Sequence, residues 1–153
     1  MRVVGFLFLV VLASCGAKPD AAGAQTLAGA THAISIDHAW AGVMPGGTDV
    51  GAGYLTVSNA GVADKLISAS SPRAQMVMLH DMHMEGSMMV MRTAEGGMDV
   101  PAHGALTFSP GGAHLMFMGV TQPFAAGEQI PVTLTFEHAG AVTLNLPVNA
   151  GGR

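Results

Sequence analysis

No stretch of this chain sustains a helical period. Apolar residues instead recur every second position in short runs, and glycine or proline closes almost every run. Residues 33–40, 51–58, 65–69, 75–80, 88–92, 105–108, 114–118, 129–136 and 142–148 each read as a strand. The turns are marked by Pro45-Gly46-Gly47, Asn59-Ala60-Gly61, Ser71-Pro72, Gly96-Gly97, Val100-Pro101 and Ser109-Pro110-Gly111-Gly112. Many short strands at close spacing favour an all-β sandwich or small barrel over any helical architecture. Tyr54, Phe108, Phe117, Phe136 and the Leu, Val and Ile positions are the expected core. There is no internal repeat of fixed period.

The chemistry of the chain is concentrated in two segments, residues 80–91 and 114–118. Of the twelve methionines, nine fall between Met78 and Met118, and three of the seven histidines (His80, His83 and His114) lie in the same segments. In His114-Leu115-Met116-Phe117-Met118 the alternation puts His114, Met116 and Met118 on one face and Leu115 and Phe117 on the other. Met76, Met78 and His80 share a face in their run, as do Met89 and Met91. Imidazole beside thioether suits a soft monovalent ion such as Cu(I), which needs no fixed charge from its ligands. The competing reading is that the methionines fill the core, as flexible gap-fillers do. It is strongest for Met76, Met78 and Met98. An adaptable protein-binding surface is a further reading. His38, His103 and His138 have the look of ordinary strand or turn residues.

Residues 1–14 have the form of a signal peptide: Arg2 supplies a basic start and residues 3–12 an apolar run too short to span a bilayer. The run ends in Leu12-Ala13-Ser14-Cys15, which resembles a bacterial lipobox and implies cleavage before Cys15 and lipidation of its sulfur. The expected location is periplasmic, lipid-anchored to a bacterial membrane. Gly16 after the cysteine points to the outer membrane in a diderm cell. Residues 15–31, rich in Ala, Gly, Pro and Thr, read as a flexible tether, and residues 32–150 as a single domain. Cys15 is the only cysteine, so an intramolecular disulfide, a thiolate-ligated blue-copper centre and a catalytic cysteine are all excluded. Beyond the tether the basic residues are Lys65, Arg73, Arg92 and Arg153. They form no stripe, and the net charge is −4, so nucleic acid is not an expected partner. No Walker, Rossmann or zinc-finger pattern is present.

His80, then ten residues, then Met91, then 22 residues, then His114-x-Met116 resembles the signature of the PCuAC family of periplasmic copper chaperones, in which the second gap is about 21. The surroundings agree: Gly51-Ala52-Gly53-Tyr54-Leu55, Pro110-Gly111-Gly112 and Pro147-Val148 stand where the family has similar residues, and the resemblance covers residues 33–149. It implies a cupredoxin-like (Ig-like) β-sandwich that binds one Cu(I) through His80, Met91, His114 and Met116. His83, Met89 and Met118 are auxiliary candidates, with Met89 the substitute should the extra residue displace Met91. The function implied is a monomeric chaperone, not an enzyme. It would deliver copper to a receiving protein, an oxidase subunit or another copper chaperone, for assembly of cytochrome c oxidase. The alternative is a storage or resistance protein that holds several copper ions on the surplus Met82, His83, Met84, Met88 and Met118. A copper enzyme and a metal-free adhesin or assembly module are the other classes weighed.

Overall fold

A computed structural model of the chain describes residues 33–43 and 49–149. The signal peptide, Cys15, the tether and the Pro45-Gly46-Gly47 turn lie outside the described residues. The described part is all β, with ten strands: β1 (Ile34–Gly42), β2 (Val50–Asn59), β3 (Asp64–Ser70), β4 (Met76–Glu85), β5 (Met88–Thr93), β6 (Met98–Val100), β7 (Gly104–Phe108), β8 (His114–Met118), β9 (Gln129–Phe136) and β10 (Gly140–Asn149). The expected cupredoxin-like β-sandwich is borne out. Its strands follow the order β5-β4-β8-β2-β1-β10-β9-β3-β6, with β7 also on β2. A bridge between Ala69 of β3 and Val77 of β4 joins the strands that stand second from each end of this path. Most pairs are antiparallel. The exception is β1 against β10, where Ala41 and Gly42 pair with Val148 and Asn149.

Alternation fills the core. Leu55 and Val57 from β2, Val77 and Leu79 from β4, Leu115 and Phe117 from β8, Ile130, Val132, Leu134 and Phe136 from β9, and Leu146 and Val148 from β10 are all buried. The glycines of β2 occupy the same inward positions for a steric reason. A Cβ at Gly51 would stand 2.6 Å from the ring of Phe124, and one at Gly53 would stand 2.9 Å from Phe117 and 3.0 Å from Leu146. The Gly-Ala-Gly-Tyr run thus makes room for two phenylalanines, which meet edge to face with centroids 5.2 Å apart.

Two core expectations need correction. Tyr54 is not in the core. It falls on the opposite face of β2 from Leu55 and stacks on Trp40, ring centroids 4.4 Å apart. Trp40 reaches that position because a bulge between Asp37 and Trp40, with His38 at φ 51°, breaks the alternation expected for residues 33–40. Met76 and Met78 are not core either: Met76 is exposed and Met78 half-buried, because Val77 and Leu79 take the inward positions of β4. Met98, by contrast, packs partly buried against the core.

Asp64, buried at the start of β3, is a structural carboxylate. It accepts hydrogen bonds from the amides of Lys65, His138 and Ala139 at 2.7, 3.0 and 2.9 Å. Burial pushes its pKa up, but these donors and the His138 ring outweigh burial and hold it below its ordinary value. His138 therefore has a structural partner.

Candidate metal centre

The site is built by three adjacent strands, β5, β4 and β8. In register, His80 stands opposite His114, Met78 opposite Met116 and Met76 opposite Met118. On the other side of β4, Met82 pairs with Met91 and Met84 with Met89. Cross-strand partners point to the same side of a sheet and alternate residues to opposite sides. All these residues therefore share the face of β4 turned away from Val77 and Leu79. The result is a ladder in which one histidine row, His80–His114, is flanked by a thioether row on each side, Met78–Met116 and Met82–Met91.

Distances along the ladder sort the candidates. Successive rows are two residues, or about 6.6 Å, apart. Met116 is one row from His114 on the same strand. Met91 is one row from His80 on the neighbouring strand, because His80 faces Thr93 and Met91 is its diagonal neighbour. A diagonal pair lies within reach of long side chains. Met89 and Met118 are each two rows from the histidines, about 13 Å away. His83 has the opposite parity to His80. It turns to the other side of the hairpin, where its Nε2 lies 3.3 Å from Glu85 and Arg92 also bonds Glu85.

The two imidazoles meet edge to face with centroids 5.2 Å apart, a span that one ion with two metal–nitrogen bonds of about 2 Å bridges. His114 Nδ1 lies 3.0 Å from the Gly112 carbonyl, which accepts its proton and leaves the lone pair on Nε2. The turn residues of Ser109-Pro110-Gly111-Gly112 thus set the tautomer of His114. His80 Nδ1 is buried and has no hydrogen-bond partner. An orphaned buried nitrogen costs free energy, and an acceptor lone pair there fits a metal ion. Burial, and next the proximity of His114, lower the His80 pKa below its ordinary 6.5, so the ring is neutral at pH 7 and carries a ligating lone pair. Among the described residues no group of three or more His, Cys, Asp or Glu is arranged to hold a metal. The donors that the strand register does gather on this face are imidazoles and thioethers, the soft-ion combination.

A pH dependence follows. A histidine whose folded pKa is depressed leaves the unfolded chain with more protons as pH falls below the unfolded value, so acid then favours unfolding. The metal-free protein is expected to lose stability as pH falls through 6.5 toward the lower folded pKa of His80. Asp64 works in a separate window, its stabilisation being lost as pH falls through and below 3.8. Denaturant midpoints measured from pH 8 to 5 check the first effect, and His80→Gln should flatten it.

Met78 and Met82 belong to the ladder although neither is among the expected ligands or their auxiliaries, Met78 being expected only on the face of His80 and Met82 only among the surplus methionines. The available signal was Gly86-Ser87, a two-residue hairpin loop with Gly86 at φ 66°. It sets Glu85 opposite Met88, and counting back then sets Met82 opposite Met91.

Comparison with known proteins places the chain. The family model described as "Putative lipoprotein LpqE-like" matches residues 34–148. The chain belongs to the LpqE-like family. It is 31% identical over 128 residues to "Putative lipoprotein Lxx21020" of Leifsonia xyli subsp. xyli, covering 83% of this chain and 76% of that protein. Among solved structures, LpqE-like residues here superpose on the copper-bound PCuAC domain from PmoF2 with a TM-score of 0.64 and 27% identity, over 76% of this chain and 92% of that one. Apo-DR1885 from Deinococcus radiodurans matches with a TM-score of 0.62 and 25% identity over 98% and 100% of the two chains. CuI-DR1885 matches with a TM-score of 0.59 and 28% identity over 87% and 86%. The resemblance to the PCuAC family is thereby borne out.

Proposed function

We propose that this LpqE-like protein is an extracytoplasmic metallochaperone that carries one Cu(I) on His80, Met91, His114 and Met116 and passes it to a partner. The observation that carries the reading is the paired His80–His114 row with thioether rows on both sides. Similarity to a copper-bound PCuAC domain and to CuI-DR1885 supports it. So does the chemistry of the ligand set. Thioethers hold Cu(I) without adding charge, and unlike thiolates they do not pair into disulfides in an oxidising compartment.

Release is built into the same geometry. Met91 is 52% exposed and lies on the outermost strand of the path. A partner's ligand reaches the ion from that side, and the Met91 sulfur is the first to leave. His80 and His114, half-buried on paired central strands, hold the ion until exchange is complete. The direction of transfer is then set by relative affinity, each tenfold being worth about 1.4 kcal/mol.

Lipidation at Cys15 tethers the domain to a bacterial membrane on its periplasmic side, in line with the lipoprotein descriptions of its relatives. The tether lets a monomer reach a membrane-bound acceptor. The acceptor proposed is the copper-binding domain of a cytochrome c oxidase subunit. The test mixes the Cu(I)-loaded chain with that apo domain and follows copper by separation and metal analysis. Stoichiometric transfer, faster than from chelator-buffered Cu(I), supports delivery. Retention of the ion, or transfer no faster than from the buffer, overturns it.

A further inference from the structure

The β4–β5 hairpin has two unlike faces. One carries Asp81, His83, Glu85 and Arg92. The other carries four thioethers in two successive rows, Met82 opposite Met91 and Met84 opposite Met89. The outer row has no packing role, since Met84 is 58% and Met89 57% exposed. It also lies about 13 Å from the histidine row, two row spacings away, too far to share that row's ion. Met82 stands between, within diagonal reach of Met89. Directly opposite side chains in a sheet have Cβ atoms about 5 Å apart, which lets two flexible thioethers converge on one soft ion.

We infer that Met84, Met89 and Met82 form a second site for a soft monovalent metal ion at the hairpin tip, a station through which Cu(I) enters or leaves the His80–His114 centre. The inference rests on the proposed function only for the identity of the ion. Three neutral thioethers satisfy a soft monovalent cation and offer little to Zn(II) or another harder ion, which prefers nitrogen or carboxylate. Without an imidazole this site is the weaker of the two. The Met82–Met91 row links them in steps of about 6.6 Å, so an ion moves between stations by exchanging one sulfur at a time.

The test uses the whole chain labelled with 13C at the methionine methyls and titrated with Cu(I), and in parallel with redox-inert Ag(I). The first equivalent is expected to shift the Met91 and Met116 methyls, and the second those of Met82, Met84 and Met89. In Met84→Leu/Met89→Leu, which keeps apolar side chains at exposed positions, the second step is expected to vanish while the first persists. In His80→Ala/His114→Ala the hairpin methyls still respond. Hairpin methyls unmoved through two equivalents, or a second step that survives in the Met84→Leu/Met89→Leu variant, would overturn the second site and leave the face as a protein-docking surface. Failure of the first-site reading looks different: Met116 stays unmoved while Met84 and Met89 shift.

Discussion

Replacing His114 and Met116 together by alanine is expected to remove tight Cu(I) binding while leaving the fold intact. The pair supplies one nitrogen and one sulfur from a single strand, on the face opposite Leu115 and Phe117. Loss of a group that merely orients a metal ligand costs 10–100-fold in affinity. Loss of two proposed ligands at once is therefore expected to cost more than about a hundredfold. Neither side chain is in the core, so the unfolding free energy is expected to change by less than about 1 kcal/mol. Competition against a chromophoric Cu(I) chelator, with a thermal melt of the same sample, reads both quantities. A variant that binds like the parent would remove this strand from the site.

Phe117→Ala is expected to show the converse pattern. Phe117 is fully buried, sits between Met116 and Met118, and meets Phe124 edge to face. Phe→Ala in a core costs about 3–5 kcal/mol through lost transfer energy and an unfilled cavity. The glycine at 53, whose missing Cβ makes room for that ring, cannot fill the gap. For a domain of this size the loss corresponds to a fall in Tm on the order of 15 °C. The proposed ligands are untouched by the substitution, so saturating Cu(I) is expected to recover part of the loss, because a ligand that binds only the folded state stabilises it by mass action. A calorimetric scan with and without the ion measures both effects.

Much of this organisation was legible in the chain. Period two in residues 114–118 fixes which face carries His114 and Met116, and the structure shows that face. Phe108, Phe117 and Phe136 are buried as expected. What stayed hidden depends on contacts between distant segments. The outer half of β4, Asp81 to Glu85, continues as strand only because β5 pairs with it, and its mixed polar sequence carries no core pattern. β6 is three residues long and follows a two-glycine turn. Phe124 lies outside every strand, yet its ring fills the space above Gly51. Tyr54 left the expected core through parity alone, since Gly51, Gly53, Leu55 and Val57 claim the inward positions. The two thioether rows around the histidines needed the register of β4 against both neighbours, which no single run of sequence contains.

The most direct test of the central claim is X-ray absorption at the copper edge of the chain loaded with one equivalent of Cu(I). Two nitrogens and two sulfurs are expected around the copper, with the sulfur contribution reduced in Met91→Ala and the nitrogen contribution reduced in His80→Ala. A shell of nitrogen and oxygen alone, or a sulfur signal indifferent to residue 91, would contradict it.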